Sequence, residues 1–219
     1  MTHPAQNPDI IPNLTPGSHR PTPSLHVWGD MHLKAARAHE FCGNARRRLA
    51  VMAAAQTTGP VIWISPAWQA EALNPDGLQP LMDPGRLLLV RASRAEDLLW
   101  SLEEALRSGA VALVVGDLPQ PPGMTPVRRL HLAAEAGAEL GASAGITPIG
   151  LLLTPGEGGA PGIESRWSLD TAHEPEAQSW TLIRRRARTK PPASWQISMR
   201  DLAAAHATQS RDMVHNLYV

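Results

Sequence analysis

The 219-residue sequence predicts an α/β protein: a mostly parallel sheet flanked by helices, with antiparallel strands added at its C-terminal end. Three observations predict it. Arg86 to Asp117 reads as one strand–helix–strand unit with both ends marked. Its strand segments are short all-apolar runs rather than alternating ones, as in strands covered on both faces. From residue 38 to 153 the elements follow as β, α, β, α, β, the order that builds a parallel core sheet.

The unit RLLLVRASRAEDLLWSLEEALRSGAVALVVGD justifies the fold class in detail. Leu87 to Val90 predicts a strand buried on both faces. Ser93 stands three residues before Glu96, the spacing of a reciprocal cap at a helix start. Ala95, Leu98, Leu99, Leu102, Ala105 and Leu106 then recur at helical spacing, while Glu96, Asp97, Glu103, Glu104 and Arg107 cover the outer face. Gly109 ends the helix where a left-handed residue costs least. Val111 to Val115 predicts a second buried strand, with Asp117 at its carboxyl end. Crossovers of this kind are right-handed and parallel, and sites in such sheets lie outside the carboxyl ends of the strands.

Those residues also carry a resemblance. Leu106–Asp117, an apolar strand ending in Asp after R-S-G-A-V, resembles the second nucleotide-motif strand of the RecA recombinase. The longer run from Arg86 resembles ImuA-type proteins, RecA-like accessory factors of bacterial damage-induced mutagenesis. The resemblance spans residues 38–198. It implies a RecA-like sheet, and it makes Asp117 the match to the carboxylate that holds magnesium-bound water in the nucleotide fold.

Along the chain, residues 1–24 hold Pro4, Pro8, Pro12, Pro16, Pro21 and Pro23 with few large apolar side chains. That composition predicts a disordered Pro-rich arm. A RecA-like domain is expected over residues 25–198, its order beginning at Leu25–Trp28, and a C-terminal tail over 199–219. His39–Cys42 followed by Gly43 matches the strand and glycine that open a phosphate loop, whose pattern is G-x-x-x-x-G-K-[ST]. Here Gly43 is followed by NARRRLAVMAAAQ, with no second glycine, lysine or hydroxyl residue. Asn44 is placed to cap a helix running through Leu49, Met52, Ala53 and Gln56. The scaffold of an ATP site is expected without its chemistry: no enzyme, no nucleotide cofactor and no metal. His32, His39 and Cys42 match no familiar ligand spacing and read as core residues.

Arg46, Arg47 and Arg48 open that helix, where cations oppose the helix dipole. They read either as an anion or nucleic-acid site or as a solvated turn with packed stems. Val61–Ser65 predicts the next strand, and short helical turns are expected around Trp68–Leu73 and Leu78–Met82. An acidic activating residue follows this strand in RecA-like enzymes. Glu71 is the nearest carboxylate, and its other reading is an exposed helical glutamate. Thr125 as cap and Pro126 in the first turn predict a helix over Val127, Leu130, Ala134 and Ala138, ended by Gly141. Ile149–Leu153 predicts a buried strand, and the glycine- and proline-rich segment 155–163 a flexible connector.

Arg166–Leu169, Trp180–Arg186 and Trp195–Ser198 predict strands added antiparallel at one sheet edge. Between Thr181 and Arg200 lie Arg184, Arg185, Arg186, Arg188 and Lys190 with no acidic residue, flanked by Trp180 and Trp195. Such an edge can track a phosphate backbone and stack bases, or bind an acidic protein surface. Charge that merely protects an exposed edge is the competing reading.

Twenty acidic and twenty basic residues balance, so net charge selects no partner. Single Cys42 excludes an intramolecular disulfide. No run of 18 apolar residues and no apolar secretory core is present, so a cytoplasmic location without membrane contact is expected. The resemblance implies a non-catalytic accessory role in the SOS response and error-prone translesion synthesis. Its implied partners are a polymerase-like mutagenesis protein, an error-prone DNA polymerase and RecA, with single-stranded DNA as a further partner of the basic edge. Two rivals stand beside it: a RecA-like DNA-repair ATPase with an atypical phosphate loop, and a binding module like a cell-division inhibitor.

Overall fold

An eight-stranded sheet with helices on both faces forms the body of the protein in a computed structural model that describes residues 23–71, 73–175 and 177–201. A hairpin of β1 (Ser24–Trp28) and β2 (Met31–Lys34) precedes it. The chain then runs β3 (Ala38–Cys42), α1 (Arg46–Ala55), β4 (Val61–Pro66), α2 (Pro75–Leu78), β5 (Leu87–Ala92), α3 (Ala95–Arg107), β6 (Leu113–Asp117), α4 (Met124–Leu140) and β7 (Ile149–Leu153). Three strands close it: β8 (Ser165–Thr171), β9 (Ser179–Ala187) and β10 (Ala193–Ser198).

The sheet order is β10-β9-β8-β3-β7-β6-β4-β5. From β8 to β5 every pairing is parallel, and β8–β9 and β9–β10 are antiparallel. This is the mostly parallel sheet with antiparallel C-terminal strands that the sequence predicts, with one correction: the strand at Arg166–Leu169, expected among the antiparallel additions, joins β3 in parallel as β8, and the antiparallel pairings begin at β9. Strands β3, β6 and β7 are buried at every position because helices cover both of their faces.

Two apolar layers hold the sheet. On one face α1, the β1–β2 hairpin and Leu78, Leu81 and Met82 pack on Phe41, Trp63, Val115 and Leu151. On the other, Leu98, Leu102 and Leu106 of α3 meet Val127, Leu130 and Ala134 of α4 over Ile64, Val114 and Leu152. Gly109, at φ +62°, ends α3 as expected, and a Cβ there would stand 2.3 Å from the Gly137 carbonyl oxygen. Among the described residues no helix is long and apolar enough to cross a membrane.

Several local expectations are corrected. Leu87–Val90 is not covered on both faces: among the described residues β5 is the outermost strand, and Leu88, Leu89 and Val90 are exposed. Ser93 does not cap α3; the N-cap is Arg94, whose guanidinium instead binds Asp97. Gly123 rather than Thr125 precedes α4, and Ala45 rather than Asn44 precedes α1. No helical turn forms over the described part of 68–73; it forms at Pro75–Leu78, where the Asn74 side chain accepts from Asp76 N. The strand placed at Val111–Val115 begins at Leu113.

Segment 155–163 is not a free connector. The buried Glu40 carboxylate accepts from Gly159 N (2.8 Å), Ala160 N (3.1 Å) and Thr154 Oγ1 (2.7 Å), and pairs with Arg166. Of the expected N-terminal arm only Pro23 and Ser24 are described, and of the expected tail only Met199–Asp201; the rest lies outside the described residues.

Candidate functional site

The place where a phosphate loop would sit is the turn from β3 into α1. Gly43 takes φ +86°, and a Cβ there would meet Leu169 O at 2.5 Å, so the turn presses against the end of β8. Its amides face protein acceptors. Gly43 N donates to Gly156 O, Asn44 N to Asp170 Oδ1 and Ala45 N to Leu169 O, each at 2.9 Å. Asn44 clamps the turn further: its Nδ2 donates to Thr171 Oγ1 and its Oδ1 accepts from Thr171 N. The Gly43, Asn44 and Ala45 amides are committed within the protein.

Arg47 crosses the next position. Its Nε donates to Asp117 Oδ2 at 2.6 Å, and its Nη1 lies 2.5 Å from Glu71 Oε2. Asp117 is buried at the carboxyl end of β6, so it gains its counter-charge from this guanidinium. Burial opposes the charge on Arg47, but Asp117 and Glu71 outweigh it and hold its pKa above the ordinary value. Glu71 is exposed, as the sequence suggests, yet it lies in a loop rather than a helix. Trp63, Ser65, Leu89 and Arg91 complete a cavity of about 30 Å³ around the pair. Ligand pockets run to several hundred Å³, so this one has room for little beyond water.

The other two arginines of the triplet part from Arg47. Arg46 Nη1 donates to Gly43 O at 3.2 Å. Arg48 lies 4.2 Å over the Trp180 ring and touches Met199 Sδ, and burial lowers its pKa.

The second basic cluster lies at the opposite end of the sheet. Because β9 runs antiparallel to β8, Arg184 to Ala187 fall beside the amino ends of the parallel strands, far from Asp117. Nor is β9 the edge as far as Arg184, where β10 covers it; Arg185 to Ala187 run past the end of β10. Arg184 is 4% exposed, with its guanidinium near the rings of Trp167 (5.6 Å) and Trp195 (5.2 Å). It donates to Pro191 O and to Asp30 Oδ2, and Lys190 binds the other oxygen of Asp30. Lys190 and Arg184 together hold the Asp30 carboxyl down to about 2.

The register of β8 and β9 slips between Arg166 and Trp167, so Arg185 is the extra residue of a bulge. It reaches Ser168 Oγ and Glu157. Arg188 Nε lies 3.1 Å from Glu164. Arg186 is exposed and makes no ion pair among the described residues. Trp180 is buried, and Trp195 stacks on Trp167 at 5.9 Å. Neither ring stands free as a stacking platform.

His32, His39 and Cys42 do not converge. His39 is buried, bonded to Ser165 Oγ and Lys34 O, and burial pushes its pKa down to about 4. Burial pushes the Cys42 thiol up to about 11, and it donates to Trp167 O. His32 sits in the hairpin against His26. Among the described residues no three His, Cys, Asp or Glu side chains gather around a metal position.

Sequence reasoning missed Asp30, Glu40, Asp170 and Trp167, which organise these sites. Glu40 had a signal, since a carboxylate inside the short strand AHEFC requires buried partners. Asp30 had none.

No protein-family model matches the chain, and no curated protein matches it. Among solved structures, SulA from Pseudomonas aeruginosa is similar at 24% identity and a TM-score of 0.35, over 45% of this chain and 72% of its own. A likeness of that size assigns no function.

Proposed function

We propose that this chain is a non-catalytic RecA-like accessory protein of the SOS response to DNA damage, acting in error-prone translesion synthesis by binding other proteins. One observation carries the absence of catalysis from this reading: Arg47 stands on Asp117 where a working site would hold magnesium. Phosphoryl transfer depends on metal and loop amides placed around the phosphates. Here a side chain fills the cation position and the turn's amides bond to Gly156, Asp170 and Leu169.

The mutagenesis role is supported by the resemblance of Arg86–Asp117 to ImuA-type proteins. In this reading the partners are a polymerase-like mutagenesis protein, an error-prone DNA polymerase and RecA, in the cytoplasm. Single-stranded DNA contact, if made at the basic strand, falls to the exposed Arg186 and Arg188 rather than to Arg184. The test is affinity recovery from DNA-damaged cells with the full-length chain as bait. Direct capture of RecA or of a polymerase-like protein is expected. Recovery of neither would end the mutagenesis assignment.

A further inference from the structure

A cavity of about 370 Å³ opens at the amino ends of the parallel strands, between the β1–β2 hairpin, the start of β8 and the turn that joins β9 to β10. That volume suits a small molecule. Its lining carries four cationic side chains, Lys34, Arg184, Arg188 and Lys190, against two acids, Asp30 and Glu164. His32 and His39 line it too, and burial pushes the pKa of each down, which keeps both largely neutral near pH 7. The cavity therefore holds a surplus of two positive charges.

Neither acid has charge to spare. Asp30 is shared between Arg184, at 2.5 Å, and Lys190. Glu164 is shared between Arg188, at 3.1 Å, and Arg37, at 3.7 Å. Lys34 makes no ion pair and no side-chain hydrogen bond among the described residues. The hydroxyls of Ser24 and Thr189, also in the lining, make no hydrogen bond among them either. Scattered surplus charge is ordinary on a surface, but the low-dielectric walls of a concave site focus its field.

We propose that this cavity binds a phosphomonoester. Such a group presents roughly two negative charges near neutral pH and three acceptor oxygens, which match the surplus charge and the unbonded donors. Half-buried Lys34 and the exposed Lys190 and Arg188 are placed to donate to those oxygens through charge-assisted bonds. Arg184 is buried, with its guanidinium on Asp30 and Pro191 O, and acts through its charge. A phosphodiester carries a single charge and leaves half of the surplus unmet. The inference does not depend on the mutagenesis reading.

The test is titration calorimetry of the full-length protein, near neutral pH, with glycerol 3-phosphate and with its methyl ester, a phosphodiester. Saturable binding of glycerol 3-phosphate is expected, at least tenfold tighter than that of the ester. Lys34→Gln, which removes a cation that holds no ion pair, should weaken it at least tenfold. Lys190→Gln serves as the second variant, because Arg184 keeps Asp30 paired in it. Arg128→Gln, at an exposed position of α4, should leave the affinity unchanged. No binding, equal binding of ester and phosphomonoester, indifference to both lysine variants, or an equal loss in Arg128→Gln would overturn the proposal. Competition by single-stranded oligonucleotides with and without a 5′-phosphate separates the sources of the group. Displacement that requires the 5′-phosphate supports the proposal and places the phosphomonoester at a strand end, and displacement by neither supports a free small molecule. Displacement by both alike would assign the cavity to a nucleic-acid backbone and overturn it.

Discussion

Arg47 Nε and Asp117 Oδ2 stand 2.6 Å apart across the carboxyl end of the sheet, joining the first turn of α1 to the last residue of β6. The two residues are 70 positions apart in the chain. In the proposed reading the pair occupies the nucleotide position, and it ties in Glu71 from the loop after β4. Removing Arg47 leaves the buried Asp117 without a counter-charge, whereas Arg47 keeps Glu71 when Asp117 is removed.

That pairing should be measurable as a coupling. Arg47→Ala leaves Asp117 buried and unpaired, and a loss of roughly 2–4 kcal/mol in urea unfolding is expected. Asp117→Ala should cost less, because Arg47 is a quarter exposed and keeps its pair with Glu71. The double variant should lose less than the sum of the two. Strict additivity would show that the contact contributes no coupling.

Buried His39 makes stability depend on pH. Its folded pKa is depressed to about 4, below the ordinary 6.5, so the unfolded chain takes up a proton first as pH falls. Its contribution is fully present above pH 6.5, declines between 6.5 and 4, and levels off below that. The decline attributable to His39 is roughly 3 kcal/mol. Urea midpoints of the protein and of His39→Gln, compared at pH 7 and pH 4.5, should diverge in that sense. Parallel profiles for the two would contradict it.

The basic strand should divide by burial. Arg184→Ala removes a guanidinium held beside two stacked tryptophans and on Asp30, and should destabilise by roughly 2–4 kcal/mol. Arg186→Ala should change stability by less than about 0.5 kcal/mol. If the strand binds single-stranded DNA, Arg186→Glu with Arg188→Glu should weaken it and flatten its salt dependence. Affinity indifferent to both charge reversal and salt would leave the cluster with its structural pairs alone.

Glu40 predicts the behaviour of a whole loop. Glu40→Gln removes the charge that Arg166 and the amides of Gly159 and Ala160 surround. The expected outcome is faster proteolysis within 155–163 and a loss of roughly 3 kcal/mol. Unchanged cleavage kinetics would mean that the loop is held by other contacts.

The fold was legible because its signals are local. Apolar runs at strand length, helical spacing in α3 and Gly109 at its end each read correctly from a short window. Caps were less legible. Ser93, Asn44 and Thr125 have the right chemistry, but capping depends on backbone dihedrals that tertiary contacts decide, and Asn44 is drawn to Thr171 instead. Burial of β5 misread because an edge strand can carry the same apolar run as a central one. Of the candidate site, the sequence shows that no lysine or hydroxyl residue stands where the phosphate-loop pattern after Gly43 would place them. Arg47 and Asp117 are separated by 70 positions, and Arg184 and Asp30 by 154. No window of sequence contains such a pair.

The proposed function requires a closed nucleotide position and a protein that works by binding partners. Titration calorimetry of the purified full-length protein with ATP and magnesium, paired with a phosphate-release assay, tests it most directly. No tight ATP binding and no turnover above background are expected. Saturable ATP binding with magnesium-dependent phosphate release, abolished by Asp117→Ala, would contradict it.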